Sequence, residues 1–389
     1  MRKRNLLPMA AILRGASHHP DPFVAARELA EQLITPATGT VVFFCSARYD
    51  LEHLSAEMNR LFEGVVLVGC STAGEIGSEG YIDGALVGLS LPRDDFITVA
   101  GHIDHLDVTS LVRVSEGVQS LVRRLLLRAP SASAADTFAI LLIDGMSGVE
   151  EPVLSAIARE LGEIPLVGGS AGDNLRFRET VVFHEGEFRA GSAVLVLVHT
   201  WLPYQVFKTQ HIVASDRKMV VTEADPIKRV VTEINAEPAS DEYARLMGVA
   251  GKPLDPITLA THPLLVRVGG DDYTRSIREV NEEDRSMTFY CAIDEGIVLA
   301  AGSGADMIAD LDRLFATIVA DIGPPEAILG FDCIFRRLEL QERRLERTVS
   351  KLLADNNVVG FSTYGEQFHA MHLNQTFSGV AFGGAPGRA

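Results

Sequence analysis

Long apolar runs alternate with amphipathic stretches along the chain. Three of the runs are continuous enough to be buried strands, and they cover Thr40–Ser46, Phe138–Gly145 and Ala327–Phe335. A helical pattern follows each one, over Leu51–Phe62, Glu151–Leu161 and Arg336–Leu353. In the last of these, leucine and valine recur at a spacing near 3.6, and the charged residues are expected on an exposed outer face. Continuous apolar strands that alternate with helices predict an α/β protein with buried sheets.

The chain repeats one pattern three times. After each helix a further apolar run leads into a Gly-Ser loop, in the sequences VVLVGCSTAGEI (Val65–Ile76), IPLVGGSAGDN (Ile164–Asn174) and VVGFSTYGEQ (Val358–Gln367). Another apolar run follows each loop, over Ala85–Leu91, Ser192–Val198 and Gln375–Phe382. We therefore predict a repeated strand-helix-strand-loop-strand unit that forms mixed sheets flanked by helices, in two halves.

The segment between the second and third units is less regular. It predicts strands over Val206–Thr222, short helices over Pro226–Ile234 and Asp241–Met247, and a helix over Asp306–Asp321. We place the main boundary near Thr222. This gives an N-terminal domain of residues 1–222 with two units, and a C-terminal domain of residues 223–389 with the irregular part and the third unit.

Composition excludes several classes of protein. The net charge is −17, from 35 basic and 52 acidic residues among 389. Nucleic acid is not an expected partner, because duplex binding requires clustered Lys and Arg. The apolar runs are far shorter than the roughly 20 residues of a membrane helix, so we expect a cytoplasmic protein without a membrane partner. Four cysteines are too few for a disulfide scaffold.

The Gly-Ser loops suit the binding of an anion. A loop such as Gly69–Glu75 presents several backbone N–H groups, and Ser71 and Thr72 add hydroxyl donors, which fit a carboxylate or phosphate. The alternative is structural: the glycines let strands and helices approach closely, while Ser and Thr cap the backbone. For any one loop we favour the structural interpretation, and the absence of a P-loop Lys argues against a nucleotide.

Cysteine and histidine offer two further chemistries. Cys45 and Cys333 occupy the same place in their units, where a thiol could be a nucleophile, a metal ligand or a small buried apolar group. His211 lies between apolar and β-branched residues, and a neutral imidazole there suits the single axial ligand of an iron. The structural alternative is a core histidine. His369 and His372 are predicted on an extended segment, where they point to opposite faces.

The motifs resemble the FIST family. GCSTAGEI and GALVGLSL are similar to its N-terminal half, while Val221–Gly248, Phe289–Leu299 and Asn356–Gly383 are similar to its C-terminal half. Within the family, FKTQHIV and STYGEQFHAMHLNQTF most resemble the haem-binding nitric-oxide sensors called NosP. The resemblance implies a sensor, not an enzyme, that binds b-type haem and detects nitric oxide. It also implies a separate partner, either a histidine kinase or a cyclic-di-GMP synthase or phosphodiesterase. Assembly into a homo-oligomer stays open.

The resemblance ranks the candidate site residues. His211 comes first as axial and metal ligand, His372 second and Cys333 third. Ser71, Thr72 and Arg275, with Arg176 and Arg178, are candidates to meet a haem propionate. Two alternatives are kept: a sensory module for a small amino-acid-like metabolite without haem, and a cysteine-dependent enzyme that uses Cys45 or Cys333.

Overall fold

Three repeated units build the frame of the molecule. The computed structural model describes residues 11–107 and 111–384. In these residues each unit begins with a strand and a helix that the repeat pattern did not include. The first unit consists of β1 (Leu13–Ser17), α1 (Pro22–Leu33), β2 (Thr38–Ser46), α2 (Leu51–Leu61), β3 (Val66–Thr72), β4 (Glu75–Gly77), β5 (Gly80–Ile82) and β6 (Leu86–Pro92).

The second unit repeats this order without interruption. It consists of β7 (Phe96–Ile103), α3 (Leu111–Arg128), β8 (Thr137–Ile143), α4 (Glu150–Leu161), β9 (Leu166–Ser170), β10 (Val182–His184), β11 (Glu187–Arg189) and β12 (Ala193–Thr200).

The third unit is split after its first strand. It begins with β13 (Tyr204–Thr209). The split holds an insertion that we call the cap, with β14 (Ile212–Asp225), β15 (Val230–Ile234), β16 (Glu237–Pro238), α5 (Ala239–Met247), α6 (Pro256–Thr261), β17 (Leu264–Val268), β18 (Asp271–Arg275), β19 (Ile277–Val280), β20 (Met287–Phe289) and β21 (Val298–Gly304). The unit then resumes with α7 (Met307–Ile322), β22 (Pro325–Cys333), α8 (Ile334–Glu342), α9 (Glu346–Asp355), β23 (Val358–Thr363), β24 (Glu366–Phe368), β25 (Met371–Leu373) and β26 (Phe377–Gly383).

The units exchange hairpins in a circle. Hairpin β4–β5 of the first unit pairs with β23 of the third. Hairpin β24–β25 of the third pairs with β9 of the second, and hairpin β10–β11 of the second pairs with β3 of the first. Each mixed six-stranded sheet therefore needs two units, for example in the order β1-β6-β2-β3-β10-β11. The predicted α/β fold class is confirmed.

One apolar core fills the space between the three sheets. Phe44 of the first unit packs against Phe361 of the third with ring centroids 4.6 Å apart, and Phe331 lies 5.8 Å from Phe361. The central core holds buried side chains from all three units, and the helices cover the outer faces of the sheets in separate clusters. The runs are apolar at every position because the sheets are buried on both faces.

The three Gly-Ser loops close one end of this core. Their backbones form a triangle of hydrogen bonds, in which each loop donates to the next: Ala73 N to Ser362 O (3.0 Å), Tyr364 N to Ser170 O (3.1 Å) and Gly172 N to Ser71 O (3.1 Å). We call this triangle the axial ring. The loops thus have a shared structural role that no single copy of the motif could reveal.

A buried carboxylate ties each loop to the last strand of its unit. Glu75 accepts from Ala85 N (2.9 Å), Asp144 from Gly191 N (2.5 Å) and Glu366 from Thr376 N (3.2 Å). Burial raises the pKa of Glu75 to about 7 and the pKa of Glu366 to about 8. Hydrogen bonds from threonine oppose this effect without cancelling it. The Glu366 carboxyl is therefore largely protonated at neutral pH.

The cap corrects the predicted division of the chain. Residue 222 lies inside the continuous strand β14, so the secondary structure has no break there, and the third unit starts earlier, at Tyr204. The predicted helix Pro226–Ile234 is wrong, because Val230–Ile234 is a strand that pairs with β14. None of the helices described here is both long and apolar enough to cross a membrane.

The predicted charged helix Arg336–Leu353 is also corrected. It is two helices, α8 and α9, with Arg344 in a left-handed backbone conformation (φ 58°) between them. Arg336, Arg337 and Glu339 are buried in ion pairs and do not form an exposed face.

The first glycine of the motif allows the parallel strands to approach. A Cβ at Gly168 would overlap the Leu141 carbonyl of the neighbouring strand, and one at Gly360 would overlap the Gly330 carbonyl. We predict that Gly168→Ala destabilises the protein by about 1–3 kcal/mol or more, because the core cannot expand without strain. Chemical denaturation followed by fluorescence measures this change.

Gly117→Ala is the matched control for the glycine prediction. Gly117 lies within α3, and a Cβ there would meet nothing within 4 Å. Alanine should stabilise this helix by about 0.5–1 kcal/mol. Equal effects of the two substitutions would contradict the role assigned to Gly168.

Glu366→Gln should remove a pH dependence of stability. Because the folded pKa of Glu366 lies above that of the unfolded chain, its contribution is complete below about pH 4.5 and declines by about 1.4 kcal/mol per pH unit up to about pH 8. Glutamine can donate to Thr363 and accept from Thr376, as the protonated acid does. The variant should match the wild type at pH 5 and be more stable at pH 8, as urea denaturation would show.

The exposed Glu163→Gln is the control for the pH prediction. It should follow the wild-type pH profile. A wild type whose stability rises between pH 5 and 8 relative to Glu366→Gln would show that Glu366 is ionised in the folded protein.

Candidate functional site

The three-fold repeat is broken at two places, and these places meet. In the first and third units the hairpin starts directly after the Gly-Ser loop, at Glu75 and Glu366. In the second unit residues 173–181, which we call the arginine loop, intervene before β10. The ring of Phe177 in this loop lies 5.2 Å from the ring of Tyr364 and 6.2 Å from Tyr290 of the cap. Symmetric elements suffice to close the frame, so we place the candidate site where the asymmetric ones converge.

Asp173 holds the arginine loop in a strained conformation. Its carboxylate accepts from the backbone N–H of Phe177 (3.0 Å) and of Arg178 (2.7 Å), and from the hydroxyl of Tyr364. Burial raises the pKa of Asp173, but these hydrogen bonds outweigh burial and keep the pKa below its ordinary value. Asn174, Leu175 and Phe177 have φ of 58°, 60° and 50°. Non-glycine residues with positive φ are typical of ligand clamps and active sites.

A cavity of about 460 Å³ opens beside this loop. Its lining residues are Ala47, Asp173, Arg176, Arg178 and Glu179. Ala47 directly follows β2, so the cavity lies at the carboxyl end of the parallel pair β2–β3, where α/β sheets commonly bind ligands. Among the described residues, neither the Arg176 nor the Arg178 side chain is paired with a carboxylate. The cavity therefore offers two uncompensated cations and, at Glu179, one anion.

A second polar cluster lies between the cap and the frame, around His372. Burial lowers the pKa of His372 to about 4, so the imidazole is neutral at pH 7. The amide nitrogen of Gln367 is 3.3 Å from its Nδ1. Nearby, the thiol of Cys291 donates to Asn374 Oδ1 (2.9 Å), and the charge of Arg275 acts on both His372 and Cys291. The structure thus brings together two of the predicted site residues, His372 and Arg275.

Charged residues cross the boundary at this cluster, which we call the seam. Arg229 of the cap donates to Glu150 (2.7 Å) and to Glu151, both in the first turn of α4. Glu151 also accepts from Ala292 N of the cap (2.5 Å). Several buried atoms in or beside the seam have no partner among the described residues: Tyr290 Oη, Ser276 Oγ, Thr274 Oγ1 and Gln367 Oε1. Such atoms are rare in native proteins and often mark a bound molecule or a surface that opens.

His211 lies apart from both clusters and has no free nitrogen. Arg336 can only donate, so the 3.1 Å contact from its Nη1 fixes Nδ1 of His211 as an acceptor. The other nitrogen, Nε2, is then protonated and donates to Glu339 (2.7 Å). The His211 side chain is 0% exposed, and burial lowers its pKa. Both ring nitrogens are therefore used inside the protein.

The predicted haem ligands do not fit a haem in this structure. An iron ligand at His211 would displace Glu339 or Arg336 from fully buried bonds. At His372, a Cβ on Gly365 would lie only 2.7 Å from Nε2, so the backbone fills the space beside that nitrogen. Ser71 accepts from Val181 N (3.1 Å) and Thr72 donates to Glu75, so these hydroxyls serve the axial ring. The cavities of 460, 610 and 630 Å³ are lined by other residues.

The cysteines do not form an equivalent reactive pair. Cys45 pairs in register with Ser71, whereas Cys333 pairs with Thr363, one position further along the motif. The predicted equivalence of Cys45 and Cys333 is therefore wrong by one residue, and their side chains lie on opposite faces of their sheets. Burial raises the pKa of all four thiols, which disfavours the nucleophilic thiolate.

Sequence reasoning missed most of the site's supporting residues. Asp173, Tyr364, Glu151, Arg229 and Cys291 were not singled out, because their contacts join distant segments. One signal was present: the second copy of the Gly-Ser motif lacks one position and is followed by Leu-Arg-Phe-Arg. This departure from the repeat marks the arginine loop.

Two solved structures of cyanuric acid hydrolase are similar to this chain. One, described as "evolutionary innovation by structural concatenation", has 10% identity and a TM-score of 0.37, and the match covers 95% of this chain and 98% of that one. The other, from A. caulinodans, has 10% identity and a TM-score of 0.41, with coverage of 96% and 99%. Both are enzymes, so the prediction that this chain is not an enzyme is corrected. At these scores the likeness carries no reaction and no catalytic residue to this chain.

Two family models match the chain. A comparison with curated proteins finds no match. The FIST N domain matches residues 39–237, and the FIST C domain matches residues 239–369. FIST domains are sensory domains that bind small ligands in signalling proteins. Because the two models together cover well over half of its length, this chain belongs to the FIST family.

Proposed function

We propose that the chain is a sensory protein that binds a small amino-acid-like metabolite in the cavity beside the arginine loop. The observation that carries the proposal is the loop itself. It is absent from the two other units, it is held in a strained conformation by Asp173 and Tyr364, and it lines a 460 Å³ cavity with Arg176 and Arg178. A frame that only had to fold would not need this loop.

The charges of the cavity indicate the class of ligand. Arg176 and Arg178 can bind a carboxylate, and a guanidinium does so with two parallel hydrogen bonds. Glu179 also lines the cavity and can accept from an ammonium group. Asp173 does not compete for the ligand's cation to the same extent, because its oxygens already accept from the backbone and from Tyr364. A zwitterion matches this arrangement better than a phosphate, which Glu179 would repel.

Haem binding and nitric-oxide sensing stay predictions of the family resemblance. The same holds for a partner histidine kinase or cyclic-di-GMP enzyme. The geometry favours the alternative without haem, because the bonds that fix both nitrogens of His211 leave no lone pair for iron.

Arg176 and Arg178 should be required for ligand binding. In a thermal-shift screen of the twenty L-amino acids, we expect at least one to raise the unfolding midpoint, because a ligand at about 100 times its Kd stabilises the native state by about 2.7 kcal/mol. The double variant Arg176→Ala/Arg178→Ala should lose this rise. Arg267→Ala is the control, since Arg267 is exposed on the cap and paired with Asp272; it should keep the wild-type response.

Two outcomes would overturn this function. One is a wild-type midpoint that no amino acid changes. The other is a double variant that responds as the wild type does.

The haem alternative is tested on the same preparation. With added haem we expect no Soret band of a ligated iron in the wild type. A band that shifts with nitric oxide, and that is lost in His211→Leu or His372→Leu, would instead establish the haem sensor.

A further inference from the structure

The seam is the weakest boundary within the described structure. The frame's central core is apolar throughout, whereas Tyr290 Oη, Ser276 Oγ and Gln367 Oε1 are buried at or beside the seam without partners. Unpartnered polar atoms disfavour the closed state, because they would regain hydrogen bonds to water if the seam opened. Opening the seam therefore costs less than opening any interface between the three units.

The cap joins the frame through two adjacent connections. The chain enters the cap at Gln210–His211 and leaves it at Gly304–Ala305. Ala305 N donates to His211 O (2.8 Å), so the two connections are pinned side by side. Two adjacent strands of chain form a hinge, because a few residues at the ends of elements can absorb the rotation of a whole subdomain.

Glu339 of α8 lies at this hinge and contacts both connections. It accepts from His211 Nε2 (2.7 Å), and a Cβ on Gly304 would overlap its Oε1. Arg343 donates to Glu339 Oε1 (2.8 Å) and reaches the Gly304 carbonyl (3.4 Å). The connections are thus seated on one buried carboxylate.

The contact extends from the hinge into the frame. Arg336 bridges His211 and Asp332 (2.7 Å), and Tyr81 of the first unit donates to Asp332. His211, Glu339, Arg336 and Asp332 are each at most 1% exposed at the side chain. Buried ion networks contribute little net stability but select one arrangement, because removal of one member leaves an unpaired charge.

We infer that the cap is a hinged lid over the seam, and that the His211–Glu339 contact is its latch. The latch holds the closed position, while the unpartnered seam atoms favour opening. Opening separates Tyr290 from Phe177 and so releases the arginine loop, which is the step that the proposed ligand site requires for regulation. The inference rests on the proposed function only for what the opening admits.

Hydrogen exchange on the free, full-length protein tests the latch. Glu339→Gln keeps an acceptor for His211 but removes the charge, and we expect exchange in β14, β21 and the arginine loop to rise about tenfold or more. The strands β2, β8 and β22 should stay unchanged. Glu342→Gln, the same substitution on an exposed position of α8, is the matched control and should match the wild type.

Variants of His211 give an independent readout. His211→Gln offers one donor to Glu339 and one acceptor to Arg336, so exchange should stay near the wild-type level. His211→Leu offers neither and should raise exchange in the cap. If His211→Leu does not fold, the comparison of Glu339→Gln with Glu342→Gln decides alone.

The inference is overturned if Glu339→Gln exchanges like Glu342→Gln throughout the cap, or if its increase is equal in the frame strands. No ligand is present in this experiment. Its failure is therefore separate from a failure of the amino-acid screen, which tests only the cavity.

Discussion

The circular hydrogen bonding of the three Gly-Ser loops is the constraint on which the structure depends. Each loop donates to the next, and each unit lends its hairpin to another unit's sheet. Position and sequence of the motif follow from this closure: glycine lets the parallel strands meet, serine and threonine bond within the ring, and a buried carboxylate fixes the last strand. The candidate site exists because one loop in this ring carries extra residues.

The repeat made the frame predictable, while the site was only partly so. Apolar runs and the thrice-repeated motif predicted the strands that carry the loops, because both depend on neighbours in sequence. The cap boundary was misplaced because β14 continues through residue 222 as an apolar and β-branched strand with no turn signal. Arg176 and Arg178 were named from composition alone. Their support from Asp173 and Tyr364 was not, since it joins segments about 190 residues apart.

Charge was the least reliable guide in this chain. Arg336 and Glu339 lie in a sequence that resembles a solvated helix, yet both are buried, because Asp332, His211 and Arg343 compensate them from three segments. The same compensation makes His211 a poor metal ligand. A histidine flanked by apolar residues can serve iron or a charge network, and only its neighbours in space distinguish these roles.

The hairpin exchange bears on how such a chain could arise and how it can be cut. A single unit released from the others would expose the edge of its sheet and lack the hairpin that completes it. Three separate copies could still close the same ring as a symmetric trimer. They would pay the entropy of association, which two covalent linkers remove by raising the effective concentration of each unit. Fusion also frees the copies to diverge, and this is the condition under which one loop could lengthen and one unit could accept a lid.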